Sequence, residues 1–231
     1  MAIEFRPLSV NLNAALNLLV LEIDGMHVEA SSTEIRMWLM ALQGEAMHRW
    51  QGREPSSIPE LQEARRLYRV TGTDPTRTRP SSEALLRRTL KGQELYSISN
   101  AVDICNGCSL ELLLPLGLYD RATLDAPLEA RLGLPGESYP GIRKDEVHLE
   151  GRLGLFDRKG PFGSPTSDSL RSSVTSSTHE LLLVIYSSAL RPAAALLDLG
   201  RHFAGHFRHL GDAGGIRACR VADTVGPWVE L

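Results

Sequence analysis

A run of six consecutive apolar residues, LLLVIY at positions 181–186, constrains the fold of this chain more than any other stretch. The run has the length of a β-strand, and it lacks the alternation of apolar and polar residues that marks a strand with one wet face. We therefore predict a central strand that is buried on both faces. The remaining elements of the chain must then cover both sides of its sheet.

The N-terminal part is predicted to begin with a buried strand and a long helix. Residues 16–23 are rich in Leu, Val and Ile and end at a turn signal, so we predict a strand there with a short partner at residues 26–29. Ser31 stands three residues before Glu34, which is the spacing of a capping box. Apolar periodicity continues the predicted helix to residue 51.

Three more helices are predicted before residue 115. Ser57 and Glu60 repeat the capping-box spacing, and Gly72 ends the helix that follows them. The next helix is predicted over residues 81–92. Ser99 can cap a further helix through its hydroxyl group.

Beyond residue 119 the pattern changes from helices to short strands. It predicts strands at residues 128–132, 147–150 and 153–157, a loop at 159–169, a C-terminal helix at 192–210 and an edge strand at 216–225. No linker is long enough to divide the chain. We therefore predict a single α+β domain over residues 1–231, with helices packed on a mainly antiparallel or mixed sheet.

The composition excludes several classes of protein. With 42% hydrophobic and 23% charged residues the chain is typical of a globular domain, and no apolar run is long enough to span a membrane. The apolar N-terminal piece lacks the basic lead and the cleavage site of a signal peptide. Three cysteines are too few for a disulfide framework and favour a reducing compartment, so we predict a cytoplasmic protein.

The charge distribution bears on nucleic-acid binding. A net charge of −3 argues against non-specific coating of nucleic acid. Residues 61–92 nevertheless hold eight basic side chains against three acidic ones. Such a local excess suits the binding of phosphates, and it also suits a solvated helix face, so both interpretations stay open.

Two sets of residues have the spacing of thiol or metal sites. Cys105 and Cys108 form a C-x-x-C pair, but they fall inside a predicted helix with no second pair, so we interpret them as small buried thiols. His202, His206 and His209 share one helix face, which zinc binding allows, yet no acidic residue follows the first histidine as in a metalloprotease. We interpret them as packing or surface residues and predict no metal and no cofactor.

Polar groups converge in two places, although the chain lacks the G-x-S-x-G, G-x-x-x-x-G-K-[ST] and G-x-G-x-x-G motifs. Arg79 precedes the helix of residues 81–92, whose N-terminal amides and Ser81 suit a carboxylate or a phosphate. The loop at residues 160–169 offers backbone N–H groups, small hydroxyls and Asp168, which suits an amine or a ribose hydroxyl. Each feature alone also occurs as plain turn chemistry.

At these residues the chain resembles the B3/B4 domain of the bacterial phenylalanyl-tRNA synthetase β subunit, and more closely its free-standing relatives. The matching segments are RPSSEALLRRTLKG (79–92), SISNAVDICN (97–106), LPLGLYD (114–120), PGES (135–138), LFDRKGPFGSPTSDSLRSSVT (155–175) and THELLLVIY (178–186). The resemblance implies a B3/B4-like core at residues 71–186. Residues 1–70 then form an N-terminal strand and helices, and residues 187–231 a C-terminal helix and tail.

The resemblance also implies a function. Within the synthetase, such a domain hydrolyses tyrosine that is wrongly attached to its tRNA, and a water molecule attacks with help from the terminal ribose hydroxyl. Orientation then contributes most of the catalysis, and no catalytic side chain is assigned. We expect tRNA or an aminoacyl-tRNA acceptor end as the partner, with deacylation of a mischarged aminoacyl-tRNA as the activity. The alternative is a non-catalytic module that binds RNA or an amino acid, and aminoacylation by the chain itself is not expected.

The candidate contacts follow from the same segments. The expected substrate-binding residues are Arg79, Ser81, Gly163, Ser164, Thr166, Asp168, Arg171, Thr175 and Thr178, and the expected nucleic-acid-binding residues are Arg77, Arg87 and Arg88. Asp103 and Asn106 are expected to brace their helix. Gly117 stands where the synthetase versions commonly carry a pocket histidine, so a different amino acid can be the one that this chain recognises.

Overall fold

The structure, a computed structural model, describes residues 2–142 and 146–231. In this part of the chain six α-helices form: α1 (Val10–Asn13), α2 (Thr33–Trp50), α3 (Pro59–Val70), α4 (Ser81–Leu90), α5 (Asn100–Leu112) and α6 (Ala193–Gly211). The same residues form the strands β1 (Leu16–Asp24), β2 (Leu116–Asp120), β3 (Glu129–Leu132), β4 (Ser138–Pro140), β5 (Glu146–His148), β6 (Leu153–Asp157), β7 (Gly160–Gly163), β8 (Glu180–Ser188), β9 (Ile216–Val221) and β10 (Val229–Glu230). The predicted α+β class is confirmed.

The strand predicted from the apolar run is β8, and it lies inside a five-stranded sheet with the order β10-β9-β1-β8-β2. β8 pairs with β1 in antiparallel fashion over the full length of both strands, from Leu16 opposite Ser188 to Asp24 opposite Glu180. Every residue from 181 to 186 is fully buried. The other strand pairs of this sheet are also antiparallel, as predicted.

Side-chain alternation along β8 explains why both of its faces are apolar. Leu183 and its alternate neighbours pack against α2, α5 and α6. Val184 and its alternate neighbours pack against the three-stranded sheet β3-β6-β7 and the N-terminal segment. Complete burial of a Leu, Val or Ile side chain contributes about 1.5–3 kcal/mol. The central sheet is therefore stabilised from both sides, by a helical layer and by a second sheet.

The central sheet draws strands from all three predicted parts of the chain. β1 comes from residues 1–70, β2 and most of β8 come from residues 71–186, and β9 and β10 come from residues 187–231. Among residues 2–142 and 146–231, no helix combines the length and the apolar character needed to cross a membrane.

Three predictions for the N-terminal part were wrong in detail. Residues 26–29 are buried in part but form no strand. Ser32 rather than Ser31 caps α2, because the Ser31 hydroxyl instead donates a hydrogen bond of 2.5 Å to Asp103 on α5. Ser57 does not cap α3, which begins at Pro59 and has no side-chain cap. The two capping errors have physical causes that the spacing rule leaves out, since Asp103 binds the Ser31 hydroxyl and Pro59 begins α3.

Two predictions for the C-terminal half also need correction. The loop expected at residues 159–169 contains β7, because Gly160–Gly163 pairs with β6 in a tight hairpin. The edge strand expected at residues 216–225 ends at Val221 and is not an edge, since β10 pairs with its outer side. The two-residue length of β10 left no signal in the sequence.

Tyr119 is held between two glycines on the face of the central sheet that meets β3-β6-β7. Its ring packs edge-on against Phe162, with centroids 5.0 Å apart, and the residue is fully buried. A Cβ atom added at Gly117 or at Gly163 would lie well inside contact distance of the Tyr119 phenol. Glycine is therefore required at both positions for steric reasons.

We expect Gly117→Ala to lower the free energy of unfolding by about 1–3 kcal/mol, the usual cost of overpacking a closed core. Urea denaturation followed by circular dichroism measures this change. Gly205→Ala is the matched control, because Gly205 lies on α6 with no atom within 4 Å of an added Cβ. That control is expected to leave stability unchanged or raise it by up to about 1 kcal/mol. Equal stability of the two variants would contradict the clamped position of Tyr119.

Candidate substrate cavity and basic groove

A cavity of about 290 Å³ lies between α4, α5, β2 and the loop that follows β7. Its polar lining comes from Ser81, Asn106, Thr166, Ser167, Asp168 and Ser173. Its apolar lining comes from Ile98, Val102, Cys105, Leu116, Leu118, Ile142 and Val174. Pockets for small ligands range from about 300 to 1,000 Å³, so this cavity has the size for a small molecule or part of a larger one.

A buried ion-pair network fixes α4 beside the cavity. Glu83 is fully buried, and its carboxylate lies 2.6 Å from Arg65 and 2.9 Å from Arg87. Arg65 belongs to α3 and is itself buried, so the pair joins α3 to the first turn of α4. A carboxylate in the first turn also interacts favourably with the helix dipole. The network therefore sets the position of the α4 N-terminus.

Ser81, the first residue of α4, is one of the residues that line the cavity. Its Oγ atom is itself buried and has no hydrogen-bond partner among residues 2–142 and 146–231. The Tyr68 phenol donates to the carbonyl of Pro165 at 2.7 Å and accepts from the Thr166 hydroxyl at 3.1 Å. These two bonds hold the loop after β7 against α3.

The loop that carries Asp168 is held by a compact set of hydrogen bonds. Ser164 accepts from the Tyr139 phenol at 3.0 Å and from the main-chain N–H of Ser167 at 3.2 Å. Gly163 forms an antiparallel bridge with Asp168 across the loop. The backbone is therefore ordered on both sides of the Asp168 side chain, which lines the cavity.

The negative charge of Asp168 acts on several buried groups. Its Oδ2 atom lies 3.5 Å from the main-chain nitrogen of Leu118. Burial, with the charge of Asp168 as a further cause, holds the pKa of Tyr119 well above its ordinary value. Burial and the same charge raise the pKa of the Cys105 thiol, which lines the cavity. Cys105 therefore stays protonated at neutral pH, and it is a poor nucleophile.

A basic groove runs along the outer side of α4. It is lined by Arg79, Ala84, Leu85, Arg87, Arg88, Lys91, Gln93 and Tyr96. The Arg88 guanidinium lies 3.9 Å from the centroid of the Tyr96 ring, and Tyr96 is 54% exposed. Basic side chains beside an exposed aromatic ring are typical of surfaces that bind single-stranded nucleic acid.

Two elements contribute to both the cavity and the groove. α4 gives Ser81 to the cavity and Arg88 to the groove, and the segment before α5 gives Ile98 to the cavity and Tyr96 to the groove. At 1.5 Å of rise per residue, Ser81 and Arg88 are about 10 Å apart along the helix axis. Three stacked nucleotides span a similar length, about 3.4 Å each.

The expected contact residues divide into those that line these surfaces and those that do not. Ser81, Thr166 and Asp168 come together in the cavity lining. The expected arginines of α4 and Arg79 line the groove. Arg77 lies outside both surfaces, with an exposed side chain 3.9 Å from Asp74.

The other expected contact residues are engaged within the protein. Arg171 forms two hydrogen bonds of 3.0 Å with Asp157. Thr178 donates to Asp120 at 2.7 Å, and Thr175 exchanges a hydrogen bond of 2.9 Å with the Ser177 hydroxyl. These residues, like Gly163 and Ser164, lie outside the cavity lining.

Sequence reasoning missed most of the residues that line these surfaces, Tyr96 and Ile142 among them. Tyr96 gave a usable signal, since it is an aromatic residue directly after a basic helix. Ile142 gave none, because it reaches the cavity only through the path of the chain after β4. Asp103 braces α5 as expected, since it accepts hydrogen bonds from the Ser31 hydroxyl and from the main-chain N–H of Ile98.

Comparison with known protein families shows which family this chain belongs to. The model of the B3/4 domain matches residues 63–201, which is more than half of the chain. The chain belongs to the B3/4 domain family. Every residue named above as lining the cavity or the groove falls within the matched range. β1, β9 and β10, three strands of the central sheet, lie outside it.

Two proteins with similar sequences are named as phenylalanine–tRNA ligase beta subunits. The one from Thermobifida fusca is 43% identical over 127 residues, covering 51% of this chain and 15% of that protein. The one from Streptomyces avermitilis is 36% identical over 95 residues, covering 41% of this chain and 11% of that protein. The B3/4 chain thus aligns with less than a sixth of the length of either relative.

A solved structure also overlaps with this B3/4 chain. It is an N-terminal fragment of the phenylalanyl-tRNA synthetase beta subunit from Pyrococcus horikoshii. The overlap covers 56% of this chain and 45% of that fragment, with 14% sequence identity and a TM-score of 0.41. We draw nothing further from it.

The ion-pair network of α4 leads to a stability prediction. We expect Arg65→Met to lower the free energy of unfolding by about 3 kcal/mol, near the lower end of the cost of breaking a buried pair, because Arg87 still neutralises Glu83. Urea denaturation measures the change. Arg201→Ala is the control, because it breaks an exposed ion pair with Asp198 on α6. It should cost about 1 kcal/mol or less, and a similar cost for both variants would argue against the network.

Proposed function

We propose that this B3/4 chain binds the acceptor end of an aminoacyl-tRNA and hydrolyses the ester bond of mischarged molecules. The observation that carries the proposal is that α4 contributes residues both to a small cavity of mixed polarity and to a basic groove. The aminoacyl group would enter the cavity, and the single-stranded end of the tRNA would lie in the groove. The names of the two similar proteins, both beta subunits of a tRNA ligase, support a tRNA partner.

The cavity has groups that suit an aminoacyl ester. The carboxylate of Asp168 can accept hydrogen bonds from an α-ammonium group or from a ribose hydroxyl. The apolar wall around Val102 and Leu118 can receive a side chain of moderate size. The polar wall of the cavity thus suits the polar groups of the ester, and the apolar wall suits the side chain of the amino acid.

The reaction assigned here is attack by water on the ester carbonyl. The water oxygen forms a bond to the carbonyl carbon and the ester C–O bond breaks. The amino acid leaves as its carboxylate, the ribose oxygen of the tRNA takes up one proton of the water, and the other proton goes to solvent. Among the described residues that line the cavity there is no histidine, and Cys105 stays protonated. The protein would therefore act by orienting the ester and the water molecule, which is a large effect in itself.

The basic groove would bind the tRNA backbone. Arg88 and Lys91 can pair with phosphates, and a terminal base can stack on the exposed ring of Tyr96. Arg87 contributes less charge, because it shares Glu83 with Arg65. Such a module would work in the cytoplasm, and the free thiols of the buried cysteines suit a reducing compartment.

The catalytic part of the proposal is tested with the purified chain and a panel of tRNAs, each charged with a labelled wrong amino acid. We expect release of at least one amino acid faster than spontaneous hydrolysis. Asp168→Asn keeps the size of the side chain and removes its charge, so the rate should fall about 100-fold. Asp198→Asn, an exposed carboxylate on α6, is the control and should leave the rate unchanged.

A second function, binding without hydrolysis, is favoured because the described lining has no histidine to act as a general base and Cys105 stays protonated. Tight binding of intact aminoacyl-tRNA with no release of any amino acid would select it. Neither binding nor deacylation across the whole panel would overturn both functions.

The groove is tested separately by the salt dependence of tRNA binding. Loss of one phosphate contact lowers the slope of log K against log salt concentration by about 0.7–0.9. We expect this decrease for Arg88→Ala and for Lys91→Ala, measured by filter binding between low and moderate salt. Arg201→Ala on α6 should keep the wild-type slope. A wild-type slope in both groove variants would show that tRNA binds elsewhere.

A further inference from the structure

A cluster of possible metal ligands lies between α5 and α6, on residues that the proposed function does not use. Glu111 is near the C-terminal end of α5, and His202 and His206 occupy successive turns of α6. One ligand atom from each of the three lies within 4.8 Å of the others. The sequence showed the histidines but no acid beside them, because Glu111 is contributed by another helix.

The geometry of the cluster matches a tetrahedral cation site. The His202 and His206 Nε2 atoms are 3.3 Å apart, and they lie 2.9 Å and 3.2 Å from the two Glu111 oxygens. Metal–ligand bonds of 2.0–2.2 Å in a tetrahedral zinc site put neighbouring ligand atoms about 3.3–3.5 Å apart. The separation of the two nitrogens falls in this range, and the two nitrogen–oxygen distances, which end on different oxygens of Glu111, are shorter by about 0.1 Å and 0.4 Å.

Two bonding schemes account for this arrangement. Both histidines can donate through Nε2–H to the two oxygens of Glu111, at 2.9 Å and 3.2 Å. A bound cation is the other scheme, in which the two imidazoles and the carboxylate direct lone pairs to one point.

The surroundings of the cluster affect the orientation and the exposure of its side chains. The His206 ring packs against Trp38, with centroids 4.7 Å apart, which fixes its orientation. The His202 side chain is 44% exposed, so a water molecule can complete the coordination.

We propose that Glu111, His202 and His206 bind a divalent cation of the zinc type, with a fourth ligand from solvent. Two imidazoles and one carboxylate favour zinc over magnesium or calcium, which prefer oxygen ligands. The ion joins the end of α5 to the middle of α6. α5 also carries Val102, Cys105 and Asn106 of the cavity, so the ion stabilises the helical layer that holds one cavity wall. The site does not depend on the function proposed above.

The test is titration of the metal-free chain with zinc chloride, followed by calorimetry and thermal unfolding. We expect one ion per chain and a rise of the melting temperature with zinc concentration, because binding to the folded state alone stabilises it. Cobalt(II) in place of zinc should give the intense visible absorption of a tetrahedral site. His206→Ala and Glu111→Gln should each weaken zinc binding by about 100-fold or more, since even outer partners of metal ligands contribute 10–100-fold.

His209→Ala is the matched control. It removes a histidine from the same helix, but His209 is highly exposed and lies 3.3 Å from Glu34, outside the cluster. Zinc affinity should stay at the wild-type value. The circular dichroism spectrum of each metal-free variant checks that it folds. The proposal is overturned if the wild-type chain binds no zinc at micromolar concentration, or if His209→Ala weakens binding as much as His206→Ala.

Discussion

The antiparallel pairing of β1 with β8 is the interaction on which the rest of the structure depends. Nine residues of each strand pair in register, and nearly all of them are buried. Because both faces of this strand pair are apolar, a single covering layer cannot shield both of them from water. The helices cover one face and the small sheet covers the other, and β2 adds to the free edge of β8. The cavity forms where β2, α5 and the loop after β7 meet. Its position therefore follows from the way the helices and the small sheet cover the central sheet.

Buried carboxylates join neighbouring elements of the fold. Glu22 on β1 is fully buried between Arg121 and Arg217, and Glu83 on α4 is fully buried between Arg65 and Arg87. Two arginines neutralise each of these carboxylates, so Glu22 joins β1 to β9, and Glu83 joins α4 to α3. Asp168 lines the cavity, and its Oδ2 atom lies 3.5 Å from the main-chain nitrogen of Leu118 on β2.

The parts of the fold that the sequence predicted are those with strong local patterns. The run at residues 181–186 identifies β8, and the Ser99 hydroxyl caps α5 as expected. What the sequence missed depends on contacts between distant residues. Local spacing favours Ser31 as the cap of α2, but Asp103, 72 residues away, binds the Ser31 hydroxyl, and Ser32 caps the helix instead. The cavity was predictable in its polar half, from Ser81 and Asp168. Its apolar half comes from four separate elements, and no local pattern gathers them.

The position of Gly117 changes what the family pattern means for this chain. Along β2, Leu116 and Leu118 line the cavity, so Gly117 lies on the opposite face of the sheet. There the buried phenol of Tyr119 covers it, and any side chain at residue 117 would collide with that ring. A histidine at this position is therefore incompatible with the present placement of Tyr119. Gly117 and Tyr119 pack against each other and together fill this part of the sheet face. If this B3/4 chain selects an amino acid, the selection must come from the cavity on the other face, through Asp168, Ser81 and the apolar wall of α5.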